Sequence, residues 1–198
     1  SRRIRIAQFK APSTLVYVTR PLVEEKVYLR SDLENSSPFV LLAGKASLFM
    51  EGDFVGPTTM REVGPGGSVE VWWGQDPSVA VERVMLERTT AKKGLFGGGV
   101  QTTSTYRIDL ANSADKPLTL EVWDRQPVSR NSEIEVRLAD VSPPIATDKT
   151  YVETAKEQGL LKWVVTLGAK GQPDEKTSVS WAVRVSHSSK ITTTPVPE

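Results

Sequence analysis

The stretch KKGLFGGGV at residues 92–100 is the most suggestive of chemistry, because it combines two lysines with a cluster of glycines. A phosphate-binding loop has the form GxxxxGK[ST], in which backbone amides surround the phosphates and the lysine reaches them. Gly94 and Gly99 have the required separation, but Val100 and Gln101 occupy the positions of the lysine and the hydroxyl residue. We therefore expect a flexible hairpin connection here and no nucleotide site.

Two sets of residues are predicted to contact a partner. Loops on rigid β scaffolds often hold binding residues, so Lys93, Leu95 and Phe96 are candidate contacts at the tip of the glycine-rich connection. Trp72 and Trp73 are adjacent, so in a strand they point to opposite faces and one of them should be exposed or lie at an interface. Interface packing is the favoured role for the exposed tryptophan, and stacking against a sugar is the alternative.

The stretch DRQPVS at residues 124–129 brings together two charged residues and a serine. A serine hydrolase needs a base that is oriented by a third group, together with an oxyanion hole, and the sequence shows neither signature. We predict a structural motif instead. Asp124 and Arg125 end a strand, Pro127 enforces an extended chain, and Ser129 with Asn131 binds turn amides.

The sequence predicts no metal site and no cofactor. Glu51 and Asp53 flank Gly52 in MEGDFVG, but the twelve-residue calcium loop is missing and a hairpin turn explains the pattern. His187 is the only histidine and the chain has no cysteine, so these residue types cannot supply the three or four protein ligands that zinc takes.

Composition narrows the classes of partner. The 198 residues include 25 Lys and Arg against 24 Asp and Glu, which gives a formal net charge of +1 and no basic surface for nucleic acid. No stretch approaches the roughly 20 apolar residues that span a bilayer, so we expect no membrane span. The chain starts at Ser1 without a signal-peptide pattern, and we expect it to be a fragment or a processed product.

Alternation of apolar and polar residues predicts antiparallel strands through most of the chain. In TYRIDL, for example, Ile108 and Leu110 share one face while Arg107 and Asp109 share the other. The same phase predicts that Glu121 and Arg184 also face solvent. The side chains predicted to be buried are Ile108, Leu120, Val136, Trp163, Trp181 and Val183.

The predicted fold is all-β, an antiparallel β-sandwich of immunoglobulin-like type packed on a second strand group. We place the first strand group at residues 1–88, the sandwich at 89–190 and a disordered tail at 191–198. Residues 147–159 are expected to form a mobile loop, because VSPP precedes them and their apolar content is low. One or two helical turns ending at Gly159 are the alternative.

Several stretches, in order along the chain, resemble the C-terminal domain of unknown function of the mucoidy-inhibitor-A-like proteins. They are LLAGKASLFMEGDFVG (41–56), GQDPSVAVER (74–83), KKGLFGG, WDRQPVSRNSEIEVRL (123–138), GLLKWVVTL and WAVRV. The resemblance implies a β-rich domain that follows an N-terminal β domain and a coiled coil. The family's name implies a link to mucoid exopolysaccharide, and no reaction is assigned to it.

We therefore predict a non-catalytic structural or interaction module of a bacterial envelope-associated protein. The expected partner is a protein, or the chain's own upstream coiled coil or N-terminal domain, with polysaccharide as a further possibility and nucleic acid excluded. A periplasmic or envelope location is favoured. A carbohydrate-binding module is one alternative, and a hydrolase that uses carboxylates from distant strands is another.

Overall fold

The computed structural model describes residues 8–50, 52–93 and 98–191. Within these ranges the elements are strands β1 (Ser13–Arg20), β2 (Glu24–Glu34), β3 (Gly44–Met50), β4 (Asp53–Met60), β5 (Ser68–Gln75), β6 (Val79–Lys93), β7 (Gly99–Asn112), β8 (Leu118–Arg125), β9 (Ile134–Ser142), β10 (Leu160–Leu167) and β11 (Lys176–Ser188), helix α1 (Lys149–Thr154) and a 3-10 helix (Lys156–Gln158).

The strands form sheets of five, four and two members. Their orders are β10-β8-β1-β2-β5, β6-β7-β11-β9 and β3-β4. The pairs β8–β10, β7–β11, β9–β11, β2–β5, β3–β4 and β6–β7 are all antiparallel. The prediction of an all-β, antiparallel, sandwich-like fold is confirmed.

The chain divides into two compact units. One contains Ser1–Val18 and Tyr28–Asp76, and the other contains Thr19–Val27 and Pro77–Glu198. The domain limits predicted at residues 88 and 190 stay predictions, and residues 192–198 of the predicted tail lie outside the described residues.

The core of the larger unit lies between two sheets. Ile108 of β7 and Trp181 of β11 are fully buried on one side, and Leu120 of β8 and Trp163 of β10 are fully buried on the other. The rings of Trp163 and Trp181 meet with their centroids 5.1 Å apart. Fully burying a large apolar side chain contributes about 1.5–3 kcal/mol, so this double layer is the main source of stability in the unit.

The alternation of apolar and polar residues correctly predicts which of these side chains are buried in most cases. Ile108, Leu120, Trp163, Trp181 and Val183 are buried as predicted. Val136 is only half-buried, because β9 is the last strand of its sheet. Glu121 was predicted to face solvent, but its side chain is only 13% exposed because it pairs with Lys162.

The expectation of a loop at residues 147–159 is wrong, and the helical alternative holds. Asp148 caps α1 by accepting a hydrogen bond from the backbone N–H of Tyr151, and the Tyr151 side chain is buried. The 3-10 helix follows and ends at Gly159, which has φ +78°. A single buried aromatic residue and a side-chain cap compensate for the low apolar content of the segment.

The smaller unit has a core of its own around Val63, Val69 and Val71. Leu48 of β3 and Met60 of β4 pack against these valines, so one face of the β3–β4 hairpin is fixed to the unit. The buried Asn35 side chain donates to the carbonyl oxygens of Phe39 and Val63 at 2.8 and 2.9 Å and satisfies the backbone of the segment before β3.

Gly159→Ala is expected to destabilise the larger unit by clearly more than Gly171→Ala. Both glycines have positive φ, which costs another residue about 1–2 kcal/mol. A Cβ on Gly159 would also lie 2.6 Å from the carbonyl oxygen of Gln126, whereas nothing lies within 4 Å of a Cβ on Gly171. Overpacking of this kind adds about 1–3 kcal/mol. Urea unfolding of both variants measures the difference, and equal losses would contradict it.

Candidate functional site

The larger unit contains a buried ion pair between Asp124 and Arg83. Asp124 lies in β8 with a fully buried side chain, and Arg83 lies in β6 with a side chain that is 13% exposed. The Arg83 Nε donates to Asp124 Oδ2 at 2.8 Å, and the backbone N–H of Arg125 donates to Oδ1 at 2.7 Å. Both carboxylate oxygens of Asp124 are therefore engaged.

Aromatic rings surround the guanidinium of Arg83. Its central carbon lies 4.6 Å from the ring centroid of Tyr106 and 5.8 Å from that of Trp181, and these two rings stack at 5.4 Å. A cation over aromatic faces gains about 2 kcal/mol when water is excluded. The backbone N–H of Arg83 also donates to the Glu25 carboxylate at 2.7 Å.

Burial raises the pKa of Asp124 above its ordinary value, while the hydrogen bond and the charge of Arg83 act in the opposite direction. A carboxyl group with a raised pKa is a candidate proton donor when it lies in an open cleft. Asp124 instead lies inside the sandwich with its oxygens occupied, and the arrangement is suited to holding β6 against β8.

A second polar cluster joins α1 to the sheet. The Lys162 Nζ lies 3.0 Å from Glu121 and 3.2 Å from Asp148, and it stands 5.4 Å from the ring centroid of Trp123. Burial acts to lower the pKa of Lys162, but the bonds to the two carboxylates outweigh it and the pKa is raised. The pKa of Asp148 is lowered, first by the backbone N–H of Tyr151 and then by Lys162.

Of the remaining residues of DRQPVS, Arg125 ends β8 and the others follow the strand. Arg125 is exposed and Pro127 is half-buried. The Ser129 hydroxyl donates to the carbonyl of Asn131 at 2.9 Å and accepts from the N–H of Asn131 at 3.1 Å, so it closes the turn. His187 Nδ1 lies 2.8 Å from the carbonyl oxygen of Ser188.

The glycine-rich stretch connects β6 to β7, and Lys93 pairs with Gly99 across the hairpin. The predicted hairpin connection is therefore confirmed. Leu95, Phe96 and the side chain of Lys93 lie outside the described residues, so their predicted role as partner contacts stays a prediction.

The two adjacent tryptophans point to opposite faces of β5, as predicted. Trp73 packs on the core of the smaller unit and donates its Nε1–H to Ser31 Oγ at 2.8 Å. Trp72 remains 36% exposed, and its ring meets Tyr28 edge-on at 79° with the centroids 6.5 Å apart.

The β3–β4 hairpin has an exposed apolar face that the sequence pattern did not predict. Phe49 and Phe54 are 56% and 61% exposed, and their ring centroids lie 5.5 Å apart. Six of the fourteen exposed large hydrophobic side chains in the described ranges fall between residues 39 and 55. These six, Phe39, Val40, Leu42, Phe49, Phe54 and Val55, are called the apolar segment below.

Two absences hold for the part of the chain that the structure covers. No group of three or more His, Asp or Glu side chains could hold a metal ion there. None of the helices described is long and apolar enough to cross a membrane.

These features define an all-β domain. One of its units has a buried ion pair within an apolar core, and the other has an exposed apolar hairpin. Residues 5–188 match the family described as domain of unknown function DUF4139, and the chain belongs to that family. It is also 25% identical over 151 residues to Protein F37C4.5 of Caenorhabditis elegans. That match covers 76% of this chain and 27% of the nematode protein. No solved structure matches the chain significantly.

Asp124→Ala is expected to lower the free energy of unfolding by about 3–5 kcal/mol, because it leaves the Arg83 guanidinium buried and unpaired. Arg184→Ala is the control, since its pair with Asp140 is exposed and contributes at most about 1 kcal/mol. The double variant Arg83→Met/Asp124→Leu should recover most of the loss. Chemical denaturation measures all three variants, and a loss for Asp124→Ala no larger than the control would refute the assignment.

Asp148 gives a pH-dependent prediction. Because its folded pKa lies below the ordinary 3.8, the charge of Asp148 stabilises the fold above that pH, and this contribution is lost as the pH falls through the lowered pKa. Asp148→Asn keeps a capping side chain and loses only the charge, whereas Asp148→Ala loses both and costs about 1 kcal/mol more.

Thermal unfolding between neutral pH and pH 3 separates the two contributions of Asp148. The difference in melting temperature between the wild type and Asp148→Asn should narrow on acidification, while the difference between the Asn and Ala variants should persist. A gap between the wild type and the Asn variant that widens in acid would contradict the prediction.

Proposed function

We propose that this chain is a non-catalytic interaction module that binds a protein surface through the apolar segment. The concentration of exposed large hydrophobic side chains between residues 39 and 55 supports the proposal. Single exposed hydrophobic residues are ordinary, whereas concentrated ones are typical of an interaction site.

The hairpin is built so that its exposed face is held in place. Leu48 and Met60 anchor the inner face in the core of the smaller unit, and Phe49 and Phe54 stand on the outer side. A partner would therefore meet two ordered rings and would lose little entropy in fixing them. Because the rings are 56% and 61% exposed, covering each of them would contribute roughly half of the about 1.5–3 kcal/mol gained by burying a whole side chain.

The geometry of the exposed aromatic residues favours a protein over a polysaccharide. A sugar-binding platform needs rings that lie in a common plane. Trp72 and Tyr28 meet at 79°, and Phe49 and Phe54 meet at 59°. Both pairs suit the edge and face contacts of an apolar protein surface better than a flat sugar ring.

The engagement of Asp124 supports the non-catalytic part of the proposal. Its carboxylate is buried, hydrogen-bonded to Arg83 and the Arg125 amide, and locked within the strand layer. An acid or base in catalysis must reach the substrate proton directly or through one water.

We also propose that the chain is part of a mucoidy-inhibitor-A-like protein associated with the bacterial envelope, and that the partner is an upstream coiled coil or N-terminal domain of the same protein. The order of the resembling stretches supports this. The nematode relative is more than three times longer than the segment that matches it, which leaves room for such a partner in that protein.

A photo-crosslinking phenylalanine placed at Phe54 in the full-length protein tests the proposal. We expect crosslinked peptides from a protein surface, mapped by mass spectrometry either to the same protein outside residues 1–198 or to one defined partner. The control position is Val23, which is 84% exposed but lies outside the apolar segment.

Phe49→Ser should reduce crosslinking from position 54 several-fold, because it removes the neighbouring ring. Its melting temperature should stay close to that of the wild type, since exposed substitutions typically change stability by less than about 0.5 kcal/mol. Equal crosslinking from positions 54 and 23, or an unchanged yield in Phe49→Ser, would refute the proposed interface.

A further inference from the structure

β9 is the last strand of its four-stranded sheet, and in the part of the chain that the structure describes its only strand partner is β11. An edge strand presents backbone N–H and C=O groups that can pair with another strand. The free edge is short. Asp140 has φ +51°, and the register with β11 shifts between Ser180 and Ala182, so regular pairing is limited to residues 134–139.

The hydrogen-bond pattern identifies which backbone groups of β9 face outward. Ser189 donates its N–H to the carbonyl of Gly98, so it directs its backbone groups towards β7. Successive residues of a strand direct these groups to opposite sides, so the even-numbered residues of β11, among them Ser186 and Arg184, direct theirs towards β9. Their partners in β9 are Glu135 and Arg137.

The intervening residues Ile134, Val136 and Leu138 therefore direct their N–H and C=O groups away from β11. The Ile134 N–H agrees with this assignment, because it donates to the carbonyl of Asn131 in the preceding turn instead of to β11.

The exposed edge has a self-complementary sequence. In IEVRL, two antiparallel copies related by a twofold axis at Val136 place Val136 opposite Val136 and Ile134 opposite Leu138. The same axis places Glu135 of each copy opposite Arg137 of the other. We propose that a second copy of this chain docks on β9 in this antiparallel register and joins two four-stranded sheets into one.

Charge supports this occupant and this register. The Glu135 and Arg137 side chains are 48% and 72% exposed, and among the described residues they form an ion pair only with each other, with a hydrogen bond of 2.7 Å along the strand. Opposite charges directly across two strands stabilise the pair by about 0.2–1 kcal/mol, and like charges oppose it. A twofold axis at Glu135 or Arg137 would place that residue opposite its own copy, so two like charges would face each other. Of these three axes, only the one at Val136 gives both Glu135 and Arg137 an opposite charge across the strands.

This inference is independent of the proposed partner interface, because β9 and the apolar segment belong to different units. Charged residues on an edge strand usually prevent association. Here the two charges are complementary when the edge meets its own copy in the register with the axis at Val136.

Sedimentation equilibrium of charge variants tests the proposal. The wild type should show a concentration-dependent monomer–dimer equilibrium. Glu135→Arg and Arg137→Glu should each weaken it by about tenfold or more, because each turns both ion pairs of the dimer into repulsive pairs. The double variant Glu135→Arg/Arg137→Glu should dimerise like the wild type, since the swapped charges match again.

An equimolar mixture of the two single variants is the most selective measurement. One variant has two arginines and the other has two glutamates at the facing positions, so the mixture should form a heterodimer about as readily as the wild type dimerises, while each variant alone associates more weakly. A wild type that stays monomeric up to about 1 mM, or single variants that associate as strongly as the wild type, would overturn the proposal.

The register has its own test, because the chain contains no cysteine. Residues 135 and 137 would form a non-hydrogen-bonded pair with Cα atoms about 4.5 Å apart, which a disulfide can bridge. Random pairing of the two variants would already give the mixed disulfide twice as often as either homodisulfide. The yield from mixing Glu135→Cys with Arg137→Cys under mild oxidation should exceed this statistical ratio clearly, and a yield of mixed disulfide at or below it would refute the axis at Val136.

Discussion

The larger unit depends on the buried contact between Arg83 and Asp124. It lies between the two layers of the sandwich, with Tyr106 and Trp181 stacked beside the guanidinium. Moving either charge out of water is costly unless its partner is correctly placed, so the pair favours an arrangement in which β6 and β8, which belong to different sheets, bring the two charges together. Apolar packing supplies most of the stability, and any arrangement of the strands that separates the two charges would leave a buried charge unpaired.

The sequence predicts the strands of this unit well, because alternation is a local property. It even contains a signal for the ion pair. Asp124 lies in phase with the buried Leu120 and Val122 of β8, and Arg83 lies in phase with Val79 of β6. Two charged residues at inward positions predict that each has a buried partner. The partner's identity is not predictable, because 41 positions separate the two residues and no short spacing rule links them.

Helix α1 and the exposure of the β3–β4 hairpin could not be predicted either, because both depend on contacts that the local sequence does not show. The sequence around Tyr151 is polar, and its helix depends on one buried ring and one capping side chain instead of an apolar stripe. The exposure of Phe49 and Phe54 could not be predicted, because the sequence of a strand does not show whether another part of the protein covers each of its faces. The orientation of Trp72 and Trp73 could be predicted, since it follows from the strand period alone.

The β3–β4 hairpin has one face that packs on its unit and another face that is exposed. Leu48 and Met60 pack on the core of the smaller unit, whereas Phe49 and Phe54 are exposed and are not part of that packing. Substitutions at the outer positions can therefore accumulate without loss of the fold, while substitutions at the inner positions cannot. In the interaction module proposed above, such a hairpin would let the contact surface change while the strand pair keeps its packing.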